Sequence, residues 1–451
     1  MKKFDAVIIG FGKGGKTLAS ELAKNGKKVA VIEKSSEMYG GTCINIACIP
    51  TKSLVHSADN RKYSNTSKEE FYTNAIHRKD ELTSVLRDKN FHMLADQEHI
   101  TVITGEATFL SDEKIKVKTA EEQLEVTAEQ FFINTGATPV VPPIEGLEVA
   151  DLIYNSTSLQ ALEQLPDKLT IIGGGYIGLE FASMYANFGA EVTVIDSNEE
   201  FLPNEDRDMA NEVKKVLEAK NIKIVQNSKV ESVRNQEEGV TVSYKEGDTL
   251  SELYGNAILL ATGRKPNTEN LGLENTSVEV NDRGAIVVDD TLKTKAKNIW
   301  ALGDVNGGPQ FTYISLDDFR IVKDQVFGDG SYTKKERTNI PYSVFIDPIL
   351  SHVGLNERMA KEKEIEYKVL SMPAAGIPRA RILEKTDGLL KALIDPKTNE
   401  ILGCTLFCAE SSEMINVVRV AMEAKLPYTF LRDTIFTHPT MSESLNDLFK
   451  G

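Results

Sequence analysis

The feature that most constrains this chain is a unit of strand, glycine turn, helix, strand and acid that occurs twice. Phe4-Asp5-Ala6-Val7-Ile8-Ile9 is a short apolar run of the kind that forms a buried strand, and Gly10-x-Gly12-x-x-Gly15 follows it. A helical stretch to about Lys24 leads to a second strand, Lys28 to Ile32, which ends at Glu33. The same order returns as Leu169 to Ile172, Gly173-x-Gly175-x-x-Gly178, and Glu191 to Ile195 ending at Asp196. In both copies the acid lies 18 positions after the third glycine. The glycines permit a tight turn and bring a pyrophosphate close to a helix N-terminus, while the acid accepts from a ribose hydroxyl. One such fingerprint is a weak signal. Two with matched helix, strand and acid predict an α/β chain with two Rossmann-like dinucleotide-binding domains.

The acids also bear on the choice of nucleotide. Asp196 repels a 2′-phosphate, and Ser197-Asn198-Glu199-Glu200 brings no cation to neutralise one. NADH is favoured over NADPH, unless an arginine or lysine arrives from elsewhere in the fold.

Between the two fingerprints lies Gly40-Gly41-Thr42-Cys43-Ile44-Asn45-Ile46-Ala47-Cys48-Ile49-Pro50-Thr51-Lys52, which holds two of the four cysteines. A disulfide needs Cα atoms within about 7 Å, and residues five apart in a regular helix rise about 7.5 Å. The pair can close only where the helix is distorted or has not begun, and Pro50 suits a first helical turn. Thiols at a helix N-terminus are also more acidic. The pattern suggests a redox-active disulfide fed by a flavin; two reduced structural thiols or half a metal site is the other reading. No other cysteine pair has zinc-ribbon spacing, so no metal is expected. Cys404 and Cys408, four apart on an expected strand, read as ordinary buried thiols.

The chain is long enough for about three domains. A net charge of −15 argues against nucleic acid or an anionic membrane as a partner. Four cysteines are too few for a secreted disulfide scaffold, and a catalytic dithiol suits a reducing compartment. Asp5 and Gly10 interrupt any signal-peptide core after Met1-Lys2-Lys3, and no apolar run approaches the roughly 18 residues of a membrane span. A soluble, cytoplasmic protein is expected.

Four motifs together resemble the class I pyridine nucleotide-disulfide oxidoreductases, which include lipoamide dehydrogenase, glutathione reductase and mercuric reductase. They are Cys-x4-Cys with Ile49-Pro50-Thr51-Lys52, the Ala261-Thr262-Gly263-Arg264-Lys265-Pro266-Asn267 segment, the stretch from Thr294 through Gly303-Asp304, and His438-Pro439-Thr440-Met441-Ser442-Glu443. The resemblance spans essentially the whole chain. It implies an FAD-binding domain over 1–148, an NAD-binding domain over 149–268, a central segment over 269–336 that completes the FAD domain, and an α+β dimerisation domain over 337–451. There Asp395 to Glu400 reads as a turn between two apolar strands, and helical patterns run from Ser412 to Ala424 and on through the C-terminus.

The same resemblance implies roles. Cys48 is the thiol beside the flavin and accepts its electron pair; Cys43 is the interchange thiol that meets substrate. His438, oriented by Glu443, is the acid–base group and reaches the dithiol of the other subunit, so a homodimer is required. Lys52 and Glu180 correspond to a buried ion pair near the flavin ring. Gly10, Gly12, Gly15, Glu33, Thr42, Ala107, Gly136, Gly303 and Asp304 would contact FAD. Gly173, Gly175, Gly178, Asp196, Val230 and Gly263 would contact the nicotinamide nucleotide, and Tyr176 resembles the aromatic gate over the flavin.

Within the family the chain departs from its best-known members. Phe436 stands where lipoamide dehydrogenases carry a second histidine, and Phe311 to Phe319 replaces their alanine- and histidine-bearing helix. The end of the chain lacks the cysteine pair of mercuric reductases. These segments and Cys-Ile-Asn-Ile-x-Cys resemble a narrower group of bacterial reactive-chlorine-resistance flavoproteins and hypothiocyanous acid reductases. The implied activity is reduction of a small oxidant, hypothiocyanous acid, to thiocyanate. The alternatives are dihydrolipoamide dehydrogenase, a mercuric or copper ion reductase, and a non-enzymatic flavoprotein subunit of a larger complex.

Overall fold

The computed structural model describes residues 1–450. It comprises two compact units: 1–53 with 74–140 and 263–337, and 54–73 with 141–262 and 338–451.

The first unit is built on a seven-stranded sheet. Its parallel part runs in the order Ile100–Thr104, Val29–Glu33, Lys2–Ile9, Gln123–Ile133, Ile299–Ala301. Every residue of Val29–Glu33 is buried, so this strand reads as a continuous apolar run rather than an alternating one. Gln123–Ile133 is long enough to serve two partners on one edge. Its first half pairs antiparallel with Lys114–Lys118, and its last residues pair in parallel with Ile299–Ala301. The Lys13–Lys24 helix buries Leu18, Ala19, Leu22 and Ala23 on one stripe. A Cβ on Gly14 would lie 2.5 Å from the Ser315 carbonyl oxygen, so this helix meets the Thr312–Phe327 helix almost backbone to backbone.

The second unit repeats the plan. Five parallel strands stand in the order Ile222–Val225, Glu191–Ile195, Lys168–Ile172, Ala257–Leu260, Ile153–Tyr154. The Tyr176–Phe188 helix follows the second glycine turn. A three-stranded antiparallel sheet, Ser228–Gln236, Gly239–Glu246 and Thr249–Gly255, adjoins the parallel one. The same unit contains a five-stranded antiparallel sheet in the order Tyr342–Val344, Leu350–Gly354, Ile401–Phe407, Leu389–Ile394, Lys368–Pro373. The Ser411–Glu423 helix packs Met414, Ile415 and Val418 against Leu390, Cys404 and Leu406 of that sheet.

The matched glycine turns are close-packed in the same way. A Cβ on Gly10 would sit 2.3 Å from the Asn134 carbonyl oxygen, and one on Gly173 would sit 2.4 Å from that of Ala261. Both glycines also take positive φ, +102° and +111°. The helical pattern expected through the C-terminus is broken into Tyr428–Asp433 and Ser444–Leu448. Pro427 and Pro439 lack the N–H that a continuous helix needs and cannot stand in its interior. The Ile401–Phe407 strand ends before Cys408; both Cys404 and Cys408 are buried free thiols.

The glycine packing yields a direct contrast. Gly178→Ala would place a methyl 2.1 Å from the Gly173 carbonyl oxygen and is expected to destabilise the protein by about 3 kcal/mol. Gly175→Ala meets nothing within 4 Å and should stay within about 0.5 kcal/mol of the parent. Urea unfolding of the two variants checks the difference.

Candidate active site

Cys43 and Cys48 are brought together by a break between two helices. Gly40 and Gly41 take φ of +97° and +80° and turn the chain into a short helix, Thr42–Asn45. Ile46 leaves helical geometry at φ −138°, ψ 0°, and a new helix, Cys48–Asn60, begins two residues later. Cys43 lies in the first helix and Cys48 at the N-terminus of the second, so five residues of separation do not become a full helical rise. The turn is held from two sides. A Cβ on Gly41 would sit 2.7 Å from Gly12 Cα, so the turn presses on the first fingerprint. Asn45 donates to the carbonyls of Tyr39 and Gly41 at 2.9 and 3.0 Å, and its Oδ1 accepts from Arg87 at 2.9 Å.

Both thiols are reduced and hydrogen-bond one another. Their titrations are opposed. The hydrogen bond from Cys43 brings the Cys48 pKa down to about 6, against burial and with help from the Thr312 hydroxyl and the Lys52 charge. Cys43 is pushed well up, because its proton is held in the bond to Cys48 and because it is buried beside that sulfur. Position supports this order. Cys48 lies at the start of a 13-residue helix, where the backbone dipole favours an anion, and its Sγ is 3.4 Å from Thr312 Oγ1.

Thr312 opens the Thr312–Phe327 helix, inside the segment that departs from the better-known members of the family. Beside it Phe311 and Tyr313 stack with centroids 5.0 Å apart. Lys16 was not anticipated either. Its ammonium is buried, bonds the Gly40 carbonyl and Asn90 Oδ1, and is brought by burial to a pKa of about 8. Its charge acts on Cys43.

In the second unit His438 Nδ1 lies 2.8 and 3.0 Å from the Glu443 carboxylate oxygens. A carboxylate only accepts, so Nδ1 carries the hydrogen and Nε2 is left to exchange a proton. The imidazole is exposed. Glu180, on the Tyr176–Phe188 helix, is buried and accepts from the Phe345 N–H at 2.8 Å. Tyr176 begins that helix and donates to Glu205 Oε1 at 2.5 Å.

The residues around the first crevice fit a flavin nucleotide. The Glu33 carboxylate closes the first βαβ unit by accepting from the Phe11 N–H at 3.0 Å, and burial raises its pKa. Asn134 Oδ1 accepts from Gly15 N–H and its Nδ2 donates to the Leu302 carbonyl, tying the fingerprint helix to the end of the Ile299–Ala301 strand. Gly303 has φ +73° and donates to Asp318; Asp304 follows in the same turn, its carboxyl pushed up by burial and opposed by the Arg264 charge. Thr42 starts the first cysteine helix, Ala107 is buried on the Glu106–Ser111 strand, and Gly136 has φ +72° with open space where a Cβ would stand.

The second crevice shows a clearer sign. Asp196 is buried, and its Oδ2 has no hydrogen-bond partner, while Oδ1 accepts from the Asn198 amide nitrogens. An unpaired buried carboxylate oxygen in this position suits a ribose hydroxyl donor. Val230 is buried beside a bulge in the Ser228–Gln236 strand, and Gly263 has φ +105° and accepts from Val140 N–H. Among the described residues one acidic cluster, Asp206, Asp208 and Glu357, has metal-like spacing. The buried Lys391 ammonium already fills it, 3.1 Å from Asp206 and 2.9 Å from Asp208.

The crevices, the dithiol and the histidine–glutamate pair define a class, and sequence comparison agrees. The chain belongs to the pyridine nucleotide-disulphide oxidoreductase family: the family profile matches residues 4–318 and that of its dimerisation domain matches residues 340–449. It is therefore an FAD-dependent oxidoreductase of the pyridine nucleotide type acting on a sulfur group, with two dinucleotide-binding domains and a C-terminal α+β dimerisation domain.

Among its relatives is the Escherichia coli (strain K12) protein named probable pyridine nucleotide-disulfide oxidoreductase RclA, 51% identical over 449 residues and covering 100% of this chain and 99% of that one. A solved structure described as the Cu(II) complex of HOCl-induced flavoprotein disulfide reductase RclA from Escherichia coli has a TM-score of 0.95 at 52% identity, covering 100% and 99% of the two chains. A mercuric reductase from Lysinibacillus sphaericus is 32% identical over 98% of this chain and 81% of its own. No helix among the described residues is long and apolar enough to cross a membrane.

The opposed titration of the two sulfurs can be read directly. Alkylation of Cys48 by iodoacetamide in the reduced protein, followed by mass spectrometry, should be lost as pH falls through about 6, because the thiolate is the reactive form. Thr312→Val and Lys52→Met should each move the inflection upward. An inflection near the ordinary thiol value of ~8.5 in the parent would contradict the assignment.

Proposed function

We propose that the protein is a homodimeric, cytoplasmic, NADH-dependent reductase of hypothiocyanous acid that serves in oxidant defence. The observation that carries this reading is the reduced dithiol at a helix break, with one sulfur poised as thiolate and the other hydrogen-bonded to it. Full-length likeness to a flavoprotein disulfide reductase described as HOCl-induced supports the oxidant setting. When bound, FAD passes an electron pair from the nicotinamide to the disulfide.

In this reading His438 Nε2 of the second copy first takes the Cys43 proton, and the Cys43 sulfur attacks the electrophilic sulfur of HOSCN. An S–S bond forms, the S–O bond breaks, and hydroxide leaves as water after taking a proton from His438 Nε2 of the second copy. Glu443 holds the other imidazole nitrogen and stabilises the charged ring. Cys48 thiolate then attacks Cys43, forming the disulfide and releasing thiocyanate. NADH restores the dithiol, so one NADH converts one HOSCN to thiocyanate and water with no net uptake of a proton. Only one small sulfur centre must reach Cys43, and no peptide groove is required.

The remaining assignments belong to the same reading. With FAD bound, Lys52 and Glu180 would stabilise negative charge on the reduced flavin ring, and Tyr176 would gate access to it. Gly10, Gly12, Gly15, Glu33, Thr42, Ala107, Gly136, Gly303 and Asp304 hold FAD. Gly173, Gly175, Gly178, Asp196, Val230 and Gly263 hold the nicotinamide nucleotide. The unpaired Asp196 oxygen favours NADH over NADPH. The Cu(II) complex of the Escherichia coli relative makes copper reduction the second reading to be tested.

NADH oxidation with freshly prepared HOSCN should be rapid, saturable and abolished by Cys43→Ser, with little turnover of lipoamide, Cu(II) or Hg(II). Turnover of copper or lipoamide at equal or greater rate would move the substrate assignment there. NADPH in place of NADH should raise KM, and Asp196→Ser should narrow that gap. His438→Ala should lower kcat by about 10²–10⁴-fold. Mixed and reassociated Cys43→Ser and His438→Ala chains should recover about a quarter of parental activity, because only the heterodimer contains one complete site. No recovery would argue against a histidine supplied across the dimer.

A further inference from the structure

The Tyr176 hydroxyl has a partner that the site as described does not use. Glu205 lies between the Glu191–Ile195 strand and the Arg207–Ala219 helix, and is 2% exposed. Its Oε1 accepts from two phenols, Tyr176 at 2.5 Å and Tyr342 at 2.6 Å, while its Oε2 has no hydrogen-bond partner. The two rings stack with centroids 5.5 Å apart and planes 24° apart, and the hydroxyls are 3.4 Å from each other.

Behind Tyr342 packs His352, 5.2 Å between ring centroids. The histidine has no donor for the carboxylate, since Nε2 donates to the Gly354 carbonyl at 3.0 Å and Nδ1 faces the Thr405 hydroxyl at 2.8 Å. Burial and the Glu205 charge push both phenols up, so they remain donors. The charge of Glu205 therefore rests on two hydroxyls that share one oxygen.

Such an arrangement does two things at once. A short O–H to carboxylate bond is about twice as strong as a neutral one, so Tyr176 is held firmly in one position. Sharing the acceptor means that removing Tyr176 does not strip the buried carboxylate of its last donor, which would be costly. We propose that Glu205 and Tyr342 are positioning residues that latch Tyr176: Glu205 holds the Tyr176 hydroxyl in the closed position, and Tyr342 keeps that carboxylate hydrogen-bonded when Tyr176 swings away to admit the nicotinamide ring. This rests on the reading of Tyr176 as the gate.

The test uses the FAD-loaded dimer and follows the two half-reactions separately by stopped flow. Tyr342→Phe keeps the ring and the stack but removes the second donor, so flavin reduction by NADH should slow by about tenfold. Glu205→Gln keeps the shape and removes the charge; the latch loosens, and the apparent Kd for NADH should fall. In the Glu205→Gln background Tyr342→Phe should have no further effect, because no buried charge is left to protect. Reoxidation of the reduced enzyme by ferricyanide should be unchanged in all three variants.

A Tyr342→Phe defect of equal size in both backgrounds, or one that appears equally in reoxidation, would show general damage and overturn the latch. Tyr176→Ala separates this from failure of the gate itself. If it leaves the NADH half-reaction unaltered, the gate reading fails. If it alters that half-reaction while Tyr342→Phe does not, the gate stands and the latch falls.

Discussion

The structure depends on backbone approaching backbone where the strands of each parallel sheet end. Gly10 rests on the carbonyl of Asn134 and Gly173 on that of Ala261, at distances no side chain would allow. These contacts turn the chain sharply out of the sheet and start a helix at the crevice beyond the strand ends, where an anionic ligand meets free N–H groups. In the first unit the same principle extends to the chemistry. The Gly40–Gly41 turn bears on Gly12, and the helix that carries Cys43 grows directly from that turn. The dithiol is therefore placed by the nucleotide fold rather than added to it.

At the dithiol, geometry divides the labour between two like groups. Two thiols close enough to share a hydrogen bond cannot ionise independently, so small differences in surroundings decide which sulfur carries the charge. Cys48 has the helix terminus, the Thr312 hydroxyl and the Lys52 charge. Cys43 has the Lys16 charge and is the sulfur that holds the shared proton. A proton acceptor that reaches Cys43 can reverse that balance, and the exposed His438, with its Nδ1 hydrogen held by Glu443 and Nε2 free of one, has the tautomer for it.

Much of this was legible because it is local. A fingerprint, a cysteine spacing and a His-Pro-Thr segment each place their chemistry within a few residues, and the acids that close the two βαβ units lie one helix and one strand away. The supporting contacts were not legible. Thr312 touches a cysteine 264 positions away, Asn134 reaches Gly15 across 119, and Tyr342 reaches Glu205 across 137. Each is an unremarkable residue in its own neighbourhood. The helical patterns expected through the C-terminus are present but interrupted for a local reason: Pro427 and Pro439 carry no N–H to donate.

By itself the sequence determined that the chain forms two dinucleotide folds with a closely spaced cysteine pair between their fingerprints. Glycine requirements and cysteine spacing act over short range, and any fold must obey them. Only the tertiary structure decided which sulfur is the more acidic, which Asp196 oxygen is left without a partner, and which buried acid holds Tyr176. Those outcomes turn on burial and on hydrogen-bond partners brought from distant segments, and neither quantity is defined until the chain has folded.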